Sequence, residues 1–202
     1  MIKNFIINKS LHVVSDIYPD YNDSKIDEIR YGLESIYLSL TKVVVILLIT
    51  LLLGIFKEAV IVLLFFNIIR TTAFGIHATK SWMCWISSSI LFIGIPYLCI
   101  YVDIPSIIHY IMIGLSIICF IFYAPADTKK RPLVRKNRRI KFKVLTLIIA
   151  FIYLVLFFNI NSFFLKNVIA CTMTLEAVLI HPLTYKVFNL PYKNYEGYVF
   201  SK

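Results

Sequence analysis

A chain of 202 residues that is 59% hydrophobic, with a mean hydropathy of +0.80, is too apolar for an ordinary soluble domain. Its net charge of +10 does not point to nucleic acid, because nine of the 21 Lys and Arg fall between Lys129 and Lys143. Apolar runs punctuated by a basic loop predict an all-α, polytopic membrane protein, and the length suits one domain over 1–202.

Residues 1–42 hold six acids and five bases. They alternate charged and apolar positions, so no cleavable signal peptide is expected. Ile26, Ile29, Leu33, Ile36 and Leu40 fall on one helix face, with Ser24 and Asp27 as a capping start. Pro19 and Asp20 separate this helix from a weaker amphipathic stretch over Phe5 to Ile17. The 1–42 region is therefore expected to lie in the membrane interface or against the bundle.

Six spans are expected over 43–180. The first is Val43–Phe56, extendable back to Tyr37. The second, Ala59–Ile69, reaches spanning length when extended to Ile76, which brings Asn67 and Arg70 to its inner edge. The third is Trp82–Val102, with a kink at Pro96. Ile107–Tyr123, Val144–Ile160 and Phe163–Ile180 follow, and residues 181–202 form a polar, aromatic tail. Tight turns at 57–58, 103–105 and 159–162 make three hairpins. The longer connections, 70–81 and the basic 124–143, then share one side, with both termini. The positive-inside rule makes that side cytoplasmic, where thiols stay reduced.

Cys84, Cys99, Cys119 and Cys171 form no CxxC pair, so no metal or other cofactor is expected. Cys99, Cys119 and Cys171 sit inside apolar runs, where cysteine packs as a small hydrophobe. Cys84 differs, because the polar gap that precedes it also holds His77. On one unbroken helix those two residues would share a face but stand about 10 Å apart. A nucleophile and its base must come within about 3 Å, so a working pair requires a bend, which Ala78 to Ser81 can supply. Gly75 suits the helix end before it. Ser81 is expected as the N-cap of the third span, with Cys84 in its first turn. There the helix dipole and a nearby His77 would both favour the thiolate. One Cys and one His remain a weak signal by themselves, and a solvated histidine and a structural cysteine are the plainer alternative.

Arg70, Gly75, His77, Ala78 and Cys84, followed by Tyr123-Ala124-Pro125-Ala126-Asp127-Thr128-Lys129-Lys130-Arg131-Pro132, resemble the accessory gene regulator protein B family. Arg30-Tyr31-Gly32-Leu33-Glu34 and Leu175-Glu176-Ala177 extend the likeness towards both ends. Phe74-Gly75-Ile76 departs from it, since the family often has a second glycine before the histidine. The resemblance implies a bacterial cell-membrane cysteine endopeptidase that processes a quorum-sensing peptide precursor, an AgrD-like peptide. Cys84 and His77 would form a thioester with the precursor. An internal cysteine or serine of the precursor would then close a thiolactone or lactone.

Glu34 and Glu176 are the acids that could support the pair or balance Arg70, with Asp127 a weaker third. Lys129, Lys130 and Arg131 suit topology, anionic lipid or an acidic precursor segment. A homodimer is the default expectation for a small symmetric bundle. The competing class is a non-enzymatic peptide exporter or scaffold, which should tolerate loss of Cys84.

Overall fold

A computed structural model describes residues 2–19, 21–76, 81–128 and 132–199. The helices are α1 (Ile2–Ile17), α2 (Asp23–Leu52), α3 (Phe56–Ala73), α4 (Ser81–Ser89), α5 (Ile95–Tyr101), α6 (Ser106–Tyr123), α7 (Lys136–Asn159), α8 (Phe163–Ile180), α9 (Pro182–Val187) and α10 (Glu196–Val199). No strand occurs among the described residues, where Phe74 and Ala126 form an isolated parallel bridge. Two compact units divide it, Met1–Ile49 and Thr50–Lys202.

In the N-terminal unit α1 stops ahead of Pro19, which has no N–H with which to continue a helix. The start of α2 is capped by Asn22, whose Oδ1 accepts from Lys25 N at 3.0 Å. The expected cap at Ser24 therefore moves two residues towards the N-terminus. The amphipathic stretch and the first span form one continuous helix of 30 residues. Between Asp23 and Leu52 the weakest helix former is Gly32, and one interior glycine costs only about 1 kcal/mol.

The expected turn at Lys57–Glu58 lies earlier in the chain. Gly54 takes φ 71°, Gly54 N donates to Leu51 O at 3.1 Å and Ile55 N donates to Thr50 O at 3.0 Å. These two bonds make a Schellman stop. Lys57 and Glu58 then fall in the first turn of α3.

Among the described residues five helical segments are long and apolar enough to cross a membrane: Ser24–Leu52, Trp82–Tyr101, Ser106–Tyr123, Lys136–Asn159 and Phe163–Ile180. The expectation was six. The difference is α3, which matches α6 and α8 in length at 18 residues but carries Lys57, Glu58 and Arg70. The chain is thus an all-α, multi-pass membrane protein.

The third span is interrupted by a π-helical turn over Ile90–Gly94, where Ile95 N donates to Ile90 O. Pro96 follows at once; its ring would crowd the carbonyl of Phe92 in a regular helix, and the widened turn makes room.

Thr50–Lys202 is built around α8, which packs against α3, α5, α6 and α7. Val168, Ile169, Ala170 and Met173 are fully buried on it. Apolar side chains on other helices, such as Phe122, Phe151 and Phe158, remain exposed, as a lipid-facing surface requires. Small Ala170 and Ala177 let helices approach closely where lipid supplies no hydrophobic drive. Tyr153 Oη donates to Phe65 O at 2.7 Å, tying α7 to α3.

At one end of the bundle Asn167 donates to the carbonyls of Cys99 at 3.0 Å and Val102 at 3.1 Å. His109 Nε2 lies 2.7 Å from Asn167 Oδ1. This buried cluster satisfies carbonyls that the end of α5 leaves without helical donors, so His109 is a packing histidine there and not a solvated one.

Candidate active site

The opposite end of the bundle gathers the end of α3, the loop after α6, the end of α8 and the C-terminal segment. There α3 stops at Ala73, and the chain turns through Phe74 at φ 64° and Gly75 at φ 91°. A Cβ on Gly75 would stand 2.7 Å from Arg70 Nη1 and 2.9 Å from Leu179 O. Glycine is thus required by both its backbone angle and its surroundings.

Three backbone hydrogen bonds fix this stretch. Gly75 N donates to Ala126 O at 2.8 Å, Ala126 N donates to Ala73 O at 2.9 Å, and Ile76 N donates to Leu179 O at 3.2 Å. They clamp residues 73–76 between the loop after α6 and the last turn of α8.

Arg70 ties the same stretch from inside. Its Nη1 lies 3.2 Å from Glu176 Oε2, its Nη2 donates to the carbonyl of Ile76, and its guanidinium lies over the Phe66 ring. Glu176 is fully buried on α8. A buried carboxylate is tolerated only with a partner of this kind. Of the two acids the sequence offered to Arg70, the partner is Glu176. Glu34 pairs instead with Lys3 at 3.2 Å within the N-terminal unit.

His77 follows Ile76 directly and lies outside the described residues, as do Lys129, Lys130 and Arg131. The chain is described again from Ser81, which is itself the first residue of α4. Ser81 is therefore one position further into the helix than the expected N-cap. Cys84 is the fourth helical residue, still in the first turn, and partly exposed. Its carbonyl accepts from Ser87 Oγ at 3.2 Å. By contrast Cys99 is buried in the bundle and Cys171 partly so. No group of three or more His, Cys, Asp or Glu is placed to hold a metal ion among the described residues.

Asp127 is the residue whose importance here the spacing of the sequence did not convey. It is buried, and its carboxylate accepts from three backbone amides: Leu133 N at 3.2 Å, Asn194 N at 2.9 Å and Tyr195 N at 2.9 Å. Tyr185 Oη donates to the carbonyls of Asp127 at 3.0 Å and Ala126 at 3.3 Å. Burial pushes the Tyr185 phenol up and the Tyr192 phenol up to about 12, so both stay protonated at neutral pH. Arg139 donates to the carbonyls of Leu133 at 2.8 Å and Val134 at 2.9 Å and lies 3.9 Å over the Tyr195 ring. The signal that could have found Asp127 is an acid set in a short apolar, proline-bearing string, where a buried carboxylate needs donors.

The family model described as Accessory gene regulator B matches residues 6–180. A Clostridium acetobutylicum protein described as AgrB-like is 30% identical over 171 residues, 83% of this chain and 80% of its own length. A Listeria innocua protein described in the same words is 33% identical over 85% of this chain and 84% of its own. The Accessory gene regulator protein B of Staphylococcus carnosus is 33% identical over 84% of this chain and 85% of its own. No solved structure matches the chain.

Proposed function

The chain belongs to the accessory gene regulator B family, whose role is in quorum-sensing peptide processing, and from that premise we propose that it is a membrane cysteine endopeptidase with Cys84 as nucleophile and His77 as base. The observation that carries the reading is the clamped strut Phe74–Ile76, which delivers the chain to His77 just before the helix that bears Cys84 in its first turn.

The Cys84 thiolate attacks a backbone carbonyl of an AgrD-like precursor. The C–S bond forms, and the scissile C–N bond breaks as His77 gives its proton to the departing amine. The C-terminal part of the precursor leaves, and the retained part stays as a thioester. An internal thiol or hydroxyl of the precursor then gives its proton to His77 and attacks that thioester, breaking its C–S bond, returning the Cys84 thiolate and closing a thiolactone or lactone. A thioester exchanges readily with another thiol, which a peptide bond does not. The first-turn amides of α4 are the natural donors to the oxyanion.

Arg70, Gly75 and Glu176 serve as supports that place His77. Lys129, Lys130 and Arg131 attract an acidic precursor segment. The termini, both basic connections and the catalytic pair face the cytoplasm, and the protein works as a homodimer. Co-expression with its precursor tests the reading. Cys84→Ala and His77→Ala should each abolish cleavage at unchanged membrane insertion. Full processing by Cys84→Ala would instead identify an exporter or scaffold.

A further inference from the structure

Two residues of the loop after α6 connect the strut that leads to His77 with the C-terminal segment of the chain. Ala126 O accepts both Gly75 N at 2.8 Å and Tyr185 Oη at 3.3 Å. Asp127, next in sequence, is 3% exposed, and its carboxylate is met by the amides of Leu133, Asn194 and Tyr195. An ionised acceptor makes each of these bonds stronger than a neutral one would. Asn194 Nδ2 also donates to Pro191 O at 2.8 Å, which holds the tail's own turn. Arg139 then covers Tyr195 from the far side.

We propose that Asp127 is a positioning residue of the catalytic apparatus, through which the C-terminal segment Tyr185–Tyr195 fixes Ala126 in its bridge to Phe74 and so sets where the chain enters His77. Asp127 is held by backbone amides. It acts through Ala126 and Gly75. Loosening it lets the strut shift while the Arg70–Glu176 pair stays made, because that pair does not involve Asp127. Misplacement of a catalytic group by about 1 Å can cost about a hundredfold in rate.

This proposal rests on the reading of His77 and Cys84 as a pair, and the test separates the two. The full chain, purified in lipid nanodiscs, is alkylated with iodoacetamide over a range of pH. Modification at Cys84 is located by peptide mass, and kcat and KM are measured with the precursor. The variants are Asp127→Asn, Tyr185→Phe, a chain ending at Tyr192, and His77→Ala as reference. Asn167→Leu, which loosens the opposite end of the bundle, controls for general destabilisation.

In Asp127→Asn and in the shortened chain the alkylation midpoint should move to that of His77→Ala, and part of the way in Tyr185→Phe. Their kcat should fall about a hundredfold with KM changed less than about threefold, while Asn167→Leu keeps the wild-type midpoint. Wild-type midpoint and kcat in both the shortened chain and Tyr185→Phe would overturn the positioning role, even if Asp127→Asn did not fold. A common midpoint for wild type and His77→Ala would overturn the pair itself.

Discussion

At Gly75 a single added methyl group would meet the Arg70 guanidinium at 2.7 Å and the Leu179 carbonyl at 2.9 Å, on a backbone with φ 91°. Gly75→Ala should therefore cost about 1–3 kcal/mol of stability and displace the strut, with processing lost even in the folded fraction. Thermal unfolding in detergent, read beside precursor cleavage, checks both parts. The Arg70–Glu176 pair behaves differently, because each partner leaves a buried group exposed to an apolar interior when the other is removed. Arg70→Ala or Glu176→Gln should each cost about 3–5 kcal/mol. The double variant Arg70→Ala/Glu176→Gln should cost clearly less than the sum of the two, a coupling that a double-mutant cycle measures. Additive losses would mean that the two side chains do not act as a pair.

At the scale of elements, helix ends decide where the site can lie. The α2 helix stops at Gly54 through two backbone bonds, which sets the start and thereby the register of α3 and its Arg70. Gly54→Ala should cost about 1 kcal/mol, seen as a lower unfolding midpoint, with cleavage per folded molecule unchanged, since nothing lies within 4 Å of the added Cβ. The basic loop contributes through charge. Replacing Lys129, Lys130 and Arg131 by Gln should weaken processing and make it less sensitive to salt, because screened attraction is the term removed. Equal salt dependence in wild type and variant would assign those bases to topology alone. Hydropathy was enough to find the apolar cores of the spans, since membrane burial demands continuous apolar runs. It could not find their ends. The stop at Gly54 competes with the more conspicuous Lys57–Glu58, and the π-helical turn before Pro96 leaves no mark in a hydropathy count. The second expected span, α3, falls short as an apolar segment because Arg70 is held for its bond to Glu176 and not for lipid.

Over the whole of Thr50–Lys202, the two ends of the bundle divide the labour. One end is closed by Asn167 and His109, whose hydrogen bonds finish α5 and serve packing. The other collects Arg70, Gly75, Asp127 and Tyr185. Sequence spacing placed Arg70 and Gly75 in one region, where their close approach puts them. It did not reveal that Asp127 and the C-terminal segment join them, since a contact across 67 residues, such as Asp127 with Asn194, has no periodic signature. The central claim is covalent catalysis by Cys84. Its most direct test is the intact mass of the purified chain mixed with its precursor and quenched in acid. The expected result is an adduct equal to the retained precursor fragment, mapped to Cys84, released by hydroxylamine and missing from Cys84→Ala. Continued precursor cleavage in Cys84→Ala, with no such adduct on the wild-type protein, would contradict it.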